Sequence, residues 1–331
     1  VTSLSPRTLH VANGTSTTTT LAAAGVPGQY SIWADVLHEG PVPAGISDDE
    51  MVEVRSNYLS APDEGEPPPR IDPINDLRRW RAVIDDVESY DELVLWFEHD
   101  LFDQLNLIQI LDRLSRASRR KTTSLICIGS FPGRQNFKGL GELNPPEIAS
   151  LVPTRQPVGD AQYALAVRAW DAFRAPDPRA IERAIAGDTS PLPFLRAALQ
   201  RFLQDFPWTR DGLSRTERRL MTLVDGGTSN MWAIFPRMHD DEDAFYIADG
   251  SFWTVALDLE RASLVAVEAR TQNPLQLPVG TIALTPLGRD VLSGRADRIA
   301  RCGIDRWLGG VHLEGRDRVW RWDDGTKRIV P

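Results

Sequence analysis

Residues 92–97, Glu-Leu-Val-Leu-Trp-Phe, form an apolar run that breaks off at Glu98-His99-Asp100. A run this apolar predicts a strand buried on both faces, the kind found in a parallel sheet with helices on each side. Three shorter runs suit the same sheet: residues 8–12 (TLHVA), 29–34 (QYSIWA) and 123–128 (TSLICI). Helical patterns lie between them. Ser16 suits the N-cap of a weak helix from Thr17 to Ala24, and Ser47-Asp48-Asp49-Glu50 is a capping box. Leu77, Trp80, Ile84 and Val87 recur at helical spacing, as do Leu101, Leu105, Ile108 and Leu111. Strands alternating with helices need parallel crossovers, so a doubly wound α/β domain is expected over residues 1–152. The proline-rich stretch 61–73 reads as a loop within it.

The pattern then changes. Residues 153–208 show three helical stripes and no strand, which predicts a helical section. Ser214-Arg215-Thr216-Glu217 is another capping box. A helix follows it, and a further helix opens at Asp249-Gly250-Ser251. Two strands come next, at 263–269 and 281–284, separated by a loop with Asn273, Pro274 and Pro278. A last helix starts at Thr285-Pro286. Helix, helix, β-ribbon, helix is the order of a winged helix. Residues 209–331 are therefore expected to form a winged-helix-like α+β domain, ending in a cap rich in Trp and Gly (Trp307, Trp320, Trp322).

Charge limits the partners. Residues 1–150 hold 13 Lys+Arg against 22 Asp+Glu, while residues 281–331 hold 10 against 7, and the whole chain carries −9. That balance disfavours broad nucleic-acid binding, since phosphate contacts need a positive surface. No apolar run approaches the roughly 20 residues that span a bilayer. The two cysteines, Cys127 and Cys302, stand far apart, so no disulfide framework or cysteine-based zinc site is written here. A cytoplasmic location is the expectation, and a homodimer is left open.

The chemistry gathers at predicted strand ends. Asn13-Gly14-Thr15-Ser16 follows the first strand. Asp35, with His38 and Glu39, follows the second. Glu98-His99-Asp100, with Asp103 and Gln104, follows the third. In an open parallel sheet, ligands bind outside the carboxyl ends of the strands, so these residues are expected to line one crevice. His99, Asp100, Asp35 and Asp103 are the acid/base candidates. Asn13, Gly14, Ser16, His38, Glu39, Glu98 and Gln104 are the ligand-binding candidates. Structural readings stand beside them. Asp100 suits a helix N-cap, Asp103 a first-turn carboxylate favoured by the helix dipole, and Ser16 a cap. His239, within HDDED, reads as part of a solvated loop. His38, Glu39, His99, Asp100 and Asp35 contain metal-ligand types, but no HExxH-like spacing is present and no metal is assigned. Neither GxGxxG nor GxxxxGK[ST] occurs, so no cofactor is named.

The stretches HVANGTS, WADVLHEGPVP, LVLWFEHDLFDQLNLIQIL, SLICIGSFPG and GLGEL together resemble a bacterial family known as domain of unknown function 1835. SPLPFLRAAL, GLSRTERRL, LTPLGRDVLSGRAD and GIDRWLGG are similar to its associated C-terminal domain. The resemblance brings no activity with it. Family members carry Asn-Gly-Asp-Ser at the first motif, and Thr15 stands where that aspartate would be. Two functions follow from the residues themselves. One is an enzyme or ligand-binding domain acting on a small polar or phosphorylated molecule. The other is an effector-sensing winged-helix transcription regulator or protein-interaction module. The candidate recognition helix, Asp249 to Arg261, carries Asp249, Asp258 and Glu260 against Arg261 alone, which suits protein contact better than DNA.

Overall fold

The protein is described by a computed structural model covering residues 4–60, 72–86, 89–117, 121–270 and 279–331. Most of the proline-rich stretch 61–73, Val87 and the loop containing Asn273, Pro274 and Pro278 lie outside the described residues.

The first strand, β1 (Thr8–Ala12), runs into Gly14 and then α1 (Thr15–Ala23). The cap is Gly14, in extended backbone with no side-chain hydrogen bond, so Ser16 lies inside the first turn and not at the N-cap. Next come β2 (Gln29–Ile32), the two-residue β3 (Gly40–Pro41) and α2 (Asp48–Ser60). Ser47 and Glu50 exchange the expected capping-box hydrogen bonds, Glu50 N to Ser47 Oγ at 3.2 Å and Ser47 N to Glu50 Oε2 at 2.7 Å. Asp72 caps α3 (Pro73–Asp85), and β4 (Glu92–Glu98) leads to α4 (Leu101–Ser115), capped by Asp100. β5 (Thr122–Ile128), α5 (Pro145–Leu151) and β6 (Gln156–Pro157) complete the region.

These strands form one sheet in the order β2-β1-β4-β5-β6, parallel except for β6. Strand alternation sorts the apolar side chains by face. Val94 and Trp96 share one cluster with Ala12, Ile126 and Leu21 of α1, and with Ile148 of α5. Leu93, Leu95 and Phe97 join the other cluster with Leu77 of α3 and Leu105 of α4. Helices therefore cover both faces. This explains why β4 is apolar throughout.

Three helices follow, α6 (Asp160–Arg174), α7 (Arg179–Ala186) and α8 (Leu195–Leu203), and both α6 and α8 pack on α4. Then come α9 (Arg215–Asp225), α10 (Met231–Arg237) and α11 (Asp249–Arg261), and an antiparallel ribbon of β7 (Val265–Arg270) and β8 (Val279–Leu284). After α12 (Pro286–Leu292) and α13 (Arg298–Cys302), the chain forms the hairpin β9 (Ile304–Gly309) and β10 (Val311–Gly315). The pair β11 (Arg321–Asp323) and β12 (Arg328–Val330) ends it. His312 stacks on Trp307 with ring centroids 4.6 Å apart.

Two features tie the ends of the chain together. β3 pairs in parallel with β9, Gly40 opposite Leu308, and Val42 N–H donates to the Gly309 carbonyl at 2.8 Å. The α11 helix lies against the same region. Its Ser251, Thr254 and Asp258 line a small cavity with His38, Glu39, Tyr58 and Trp307, and none of residues 251–260 is exposed.

Candidate functional site

From β1 the sheet grows one way to β2 and the other way to β4 and β5. Connections diverge between β1 and β4, and such a switch point leaves a crevice at the strands' carboxyl ends. Asn13 and Glu98 end those two strands. The Asn13 amide donates to Glu98 Oε2 at 3.2 Å and to Asp103 Oδ2 at 2.8 Å. Asp103 Oδ1 accepts from Glu98 N–H at 2.8 Å, and Asp100 Oδ1 accepts from Asp103 N–H at 2.9 Å. Gln104 Nε2 donates to the Glu98 carbonyl at 2.6 Å.

The loop that follows β5 closes over this group. Leu140 N–H donates to Glu98 Oε1. Gly139 allows the approach, because a Cβ there would sit 2.5 Å from Glu98 Oε2. Ser16 Oγ donates to the Gly141 carbonyl of the same loop at 3.4 Å.

Glu98, Asp100 and Asp103 are all buried, with oxygens within 4.8 Å of one another. Every donor just named is neutral. Burial, followed by the charge of Asp100, pushes Glu98 up to about 8. Burial and the Glu98 and Asp100 charges push Asp103 well above the carboxylate range, and burial raises Asp100. Like charges this close cannot all ionise, so the group holds protons at neutral pH. The three oxygens could also hold a divalent cation. Both oxygens of Glu98 and both of Asp103 already accept from neutral donors; these bonds favour the charged form and only partly offset burial and the neighbouring charges.

His99 follows at the mouth. It is only half-buried and opens onto a cleft of about 780 Å³ beyond the ends of β4 and β5. Its Nε2 lies 3.5 Å from the Tyr246 hydroxyl, and its ring packs edge-on to Phe194 and Tyr246. Its Nδ1 is buried with no hydrogen-bond partner among the described residues. Gly129, Ser130, Lys138 and His239 line the same cleft. His239 is thus not part of a freely solvated loop. Its Nε2 lies 2.9 Å from the Ile247 carbonyl, its Nδ1 lies 3.2 Å from Lys138 Nζ, and burial lowers its pKa. Lys138, His239 and Tyr246 reach the cleft from segments more than a hundred positions apart. The signal available in the sequence was the scarcity of lysine, since only Lys121, Lys138 and Lys327 occur.

The second strand end behaves differently. Asp35 does not face this crevice: its carboxylate is 2.8 Å from Arg55 Nη2, both side chains are buried, and Arg55 Nε donates to both oxygens. The guanidinium also donates to the Glu39 carbonyl at 2.6 Å and to the Val36 carbonyl at 2.9 Å, which fixes the loop. Glu39 turns toward the cavity lined by Tyr58, Ser251 and Arg306. His38 packs against Phe102 and Phe245. Its Nε2 is 3.3 Å from Glu39 Oε1 but outside hydrogen-bond geometry. Asn13, Glu98, Asp100, Asp103 and Gln104 therefore converge with His99 at their mouth, Gly14 and Ser16 flank them, and Asp35, His38 and Glu39 build a neighbouring layer.

No helix among the described residues is long and apolar enough to cross a membrane. No family model and no curated protein matches the chain. Among solved structures it is similar to the Aeropyrum pernix ORC1 protein in complex with DNA, at 15% identity over 88% of this chain and 87% of that one. The TM-score of 0.20 is too low for that likeness to carry a fold or a function.

Proposed function

We propose that the chain is an enzyme or ligand-binding protein that takes a small polar or phosphorylated molecule into the cleft at the strand ends. Glu98 and Asp103 act as a proton-holding pair behind it, and His99 is the proton-transfer group facing it. One observation carries this reading: three buried carboxylates meet only neutral donors at the topological switch point. Burying acids without a cation is unfavourable, and perturbed groups of this kind gather at functional sites. Helix capping accounts for one oxygen of Asp100, and Asp103 ties one of its oxygens to the Glu98 N–H at the end of β4. Capping gives no reason for Glu98. The resemblance to the uncharacterised 1835 family is carried forward as part of this proposal, since its HVANGTS, LVLWFEHDLFDQLNLIQIL and GLGEL stretches supply Asn13, the carboxylates and the covering loop.

The test compares wild type with Glu98→Gln and His99→Ala in a thermal-shift screen of small polar and phosphorylated compounds. The expected result is a hit whose stabilising effect disappears in both variants while both remain folded. Hits that persist unchanged in both would reject the assignment.

The helices α9–α12 with the β7–β8 ribbon are read as a winged-helix-like α+β region. A protein-interaction or regulatory use of it is the second reading. The covering of α11 by the chain's own His38–Tyr58 side supports a contact within the molecule over one with DNA. Salt-sensitive, submicromolar binding to duplex DNA in an anisotropy titration would reverse that order.

A further inference from the structure

Lys138 is one of three lysines in a chain that otherwise uses arginine, and it stands in the cleft beside His99 and Tyr246. Its surroundings are unusual for a cation. The Ile247 carbonyl can only accept, so His239 Nε2 carries the hydrogen and Nδ1 presents a lone pair to the Lys138 ammonium. That contact uses one of three N–H donors and supplies no charge. Among the described residues no carboxylate forms an ion pair with Lys138.

Most other charges of the cleft have an ionic partner, Asp243 excepted. Arg134 lies 2.6 Å from Glu147, and Glu242 is held by Arg201 at 3.0 Å and Arg215 at 3.2 Å. Asp240 and Asp241 lie 3.8 and 3.9 Å from Arg219, and Asp243 is exposed at the rim. A fixed imidazole thus aims an ammonium whose counter-charge is missing into a concave space of about 780 Å³.

We propose that Lys138, positioned by His239, is the anion-binding residue of the cleft, and that the ligand carries an oxyanion, carboxylate or phosphate, which it presents beside His99 and Tyr246. This rests on the cleft being the functional site, but not on the acid/base role of Glu98. An ammonium acts as a point charge with several donors, which suits either oxyanion. The two sources differ in charge and size, so experiment separates them.

The full chain is titrated with inorganic phosphate and, separately, with acetate at constant ionic strength, following the ring signals of His99 and His239 by NMR. Saturable shifts of both histidines are expected. Losing a charge-assisted contact should weaken binding about ten-fold or more in Lys138→Met, whereas Lys138→Arg should stay within about three-fold of wild type. Tighter binding of phosphate assigns a phosphoryl ligand, and saturation by acetate alone assigns a carboxylate. No saturable shift with either anion, or equal binding by Lys138→Met, would overturn the proposal. The anion titration reads binding at Lys138, whereas the acid/base reading of Glu98 is tested by the pH dependence of stability, so the two can fail separately.

Discussion

Two buried glutamates, one closing a strand and one opening a helix, show opposite electrostatics. Glu98 closes β4 and is 5% exposed; Glu217 sits in the first turn of α9 and is 1% exposed. Both accept a backbone N–H, from Leu140 and Ser214 respectively. Glu217 also meets Arg306 Nη2 at 2.7 Å and Arg298 Nη2 at 3.3 Å. Burial alone would raise it, yet the two guanidinium groups hold it down at about 2. Glu98 meets two other acids and rises to about 8. Burial is common to both, and the neighbours decide the sign. The arginine-matched glutamate reads as architecture and the unmatched one as a site, although a sequence shows only two glutamates before or within helices.

The comparison can be broken most severely at Glu217. Glu217→Gln leaves buried Arg298 without its counter-charge and Arg306 with Asp258 alone at 3.4 Å, and should cost about 3–5 kcal/mol. Urea denaturation at neutral pH measures it, and a loss under 1 kcal/mol would mean the network is not structural. A smaller effect is expected at Gly139. The Cβ of Gly139→Ala would press on Glu98 Oε2, and overpacking of this kind costs about 1–3 kcal/mol, read from the denaturant midpoint.

The sharpest contrast lies in pH dependence. Glu98 holds its proton in the folded state up to about 8 but releases it near 4.5 when unfolded. Its stabilising contribution is therefore complete below the lower value and lost as pH rises through the interval, by about 1.4 kcal/mol per unit. For Glu217 the sign reverses: its contribution is complete above 4.5 and lost as pH falls toward 2. Stability measured from pH 5 to 8 should fall less steeply in Glu98→Gln than in wild type, the remaining slope coming from Asp100 and Asp103. Identical slopes would remove the claim that Glu98 is protonated. The smallest effect is expected from Thr15→Asp. The α1 helix has no acid in its first turn and no side-chain cap, so an aspartate there should add about 0.3–1 kcal/mol. If the neighbouring carboxylates ionise as pH rises, the gain should shrink between pH 6 and 9, which paired thermal melts would detect.

The parallel sheet was legible because each of its longer strands is a local pattern. The run 92–97 is a strand in the structure, as are 8–12 and 123–128. The 29–34 run pairs only through Ile32, although Trp33 N–H still donates to the Ala12 carbonyl. The two-residue strand β3 left no signal, because two residues have no period and their partner β9 is far along the chain. At the strand ends, residue types announced polarity but not pairing. Asp35 and Glu98 look alike in sequence. What separates them is Arg55, which α2 delivers to one and nothing delivers to the other. Tyr246 was invisible for the same reason, and Lys138 was marked only by the scarcity of lysine, since loops from distant segments carry both to the cleft.

The pairing of Gly40 with Leu308 has a consequence for how the molecule comes into being. Translation makes residues 35–42 long before their edge partner, which lies more than 250 positions further along the chain. Contacts this distant in sequence slow folding and leave early segments waiting. The parallel strands from Thr8 to Ile128 can assemble first, while the loop bearing His38 and Glu39 gains its last hydrogen bonds only when Gly309 arrives. A nascent chain would therefore hold its sheet before the neighbouring layer, which would mature only once residues 304–309 had emerged.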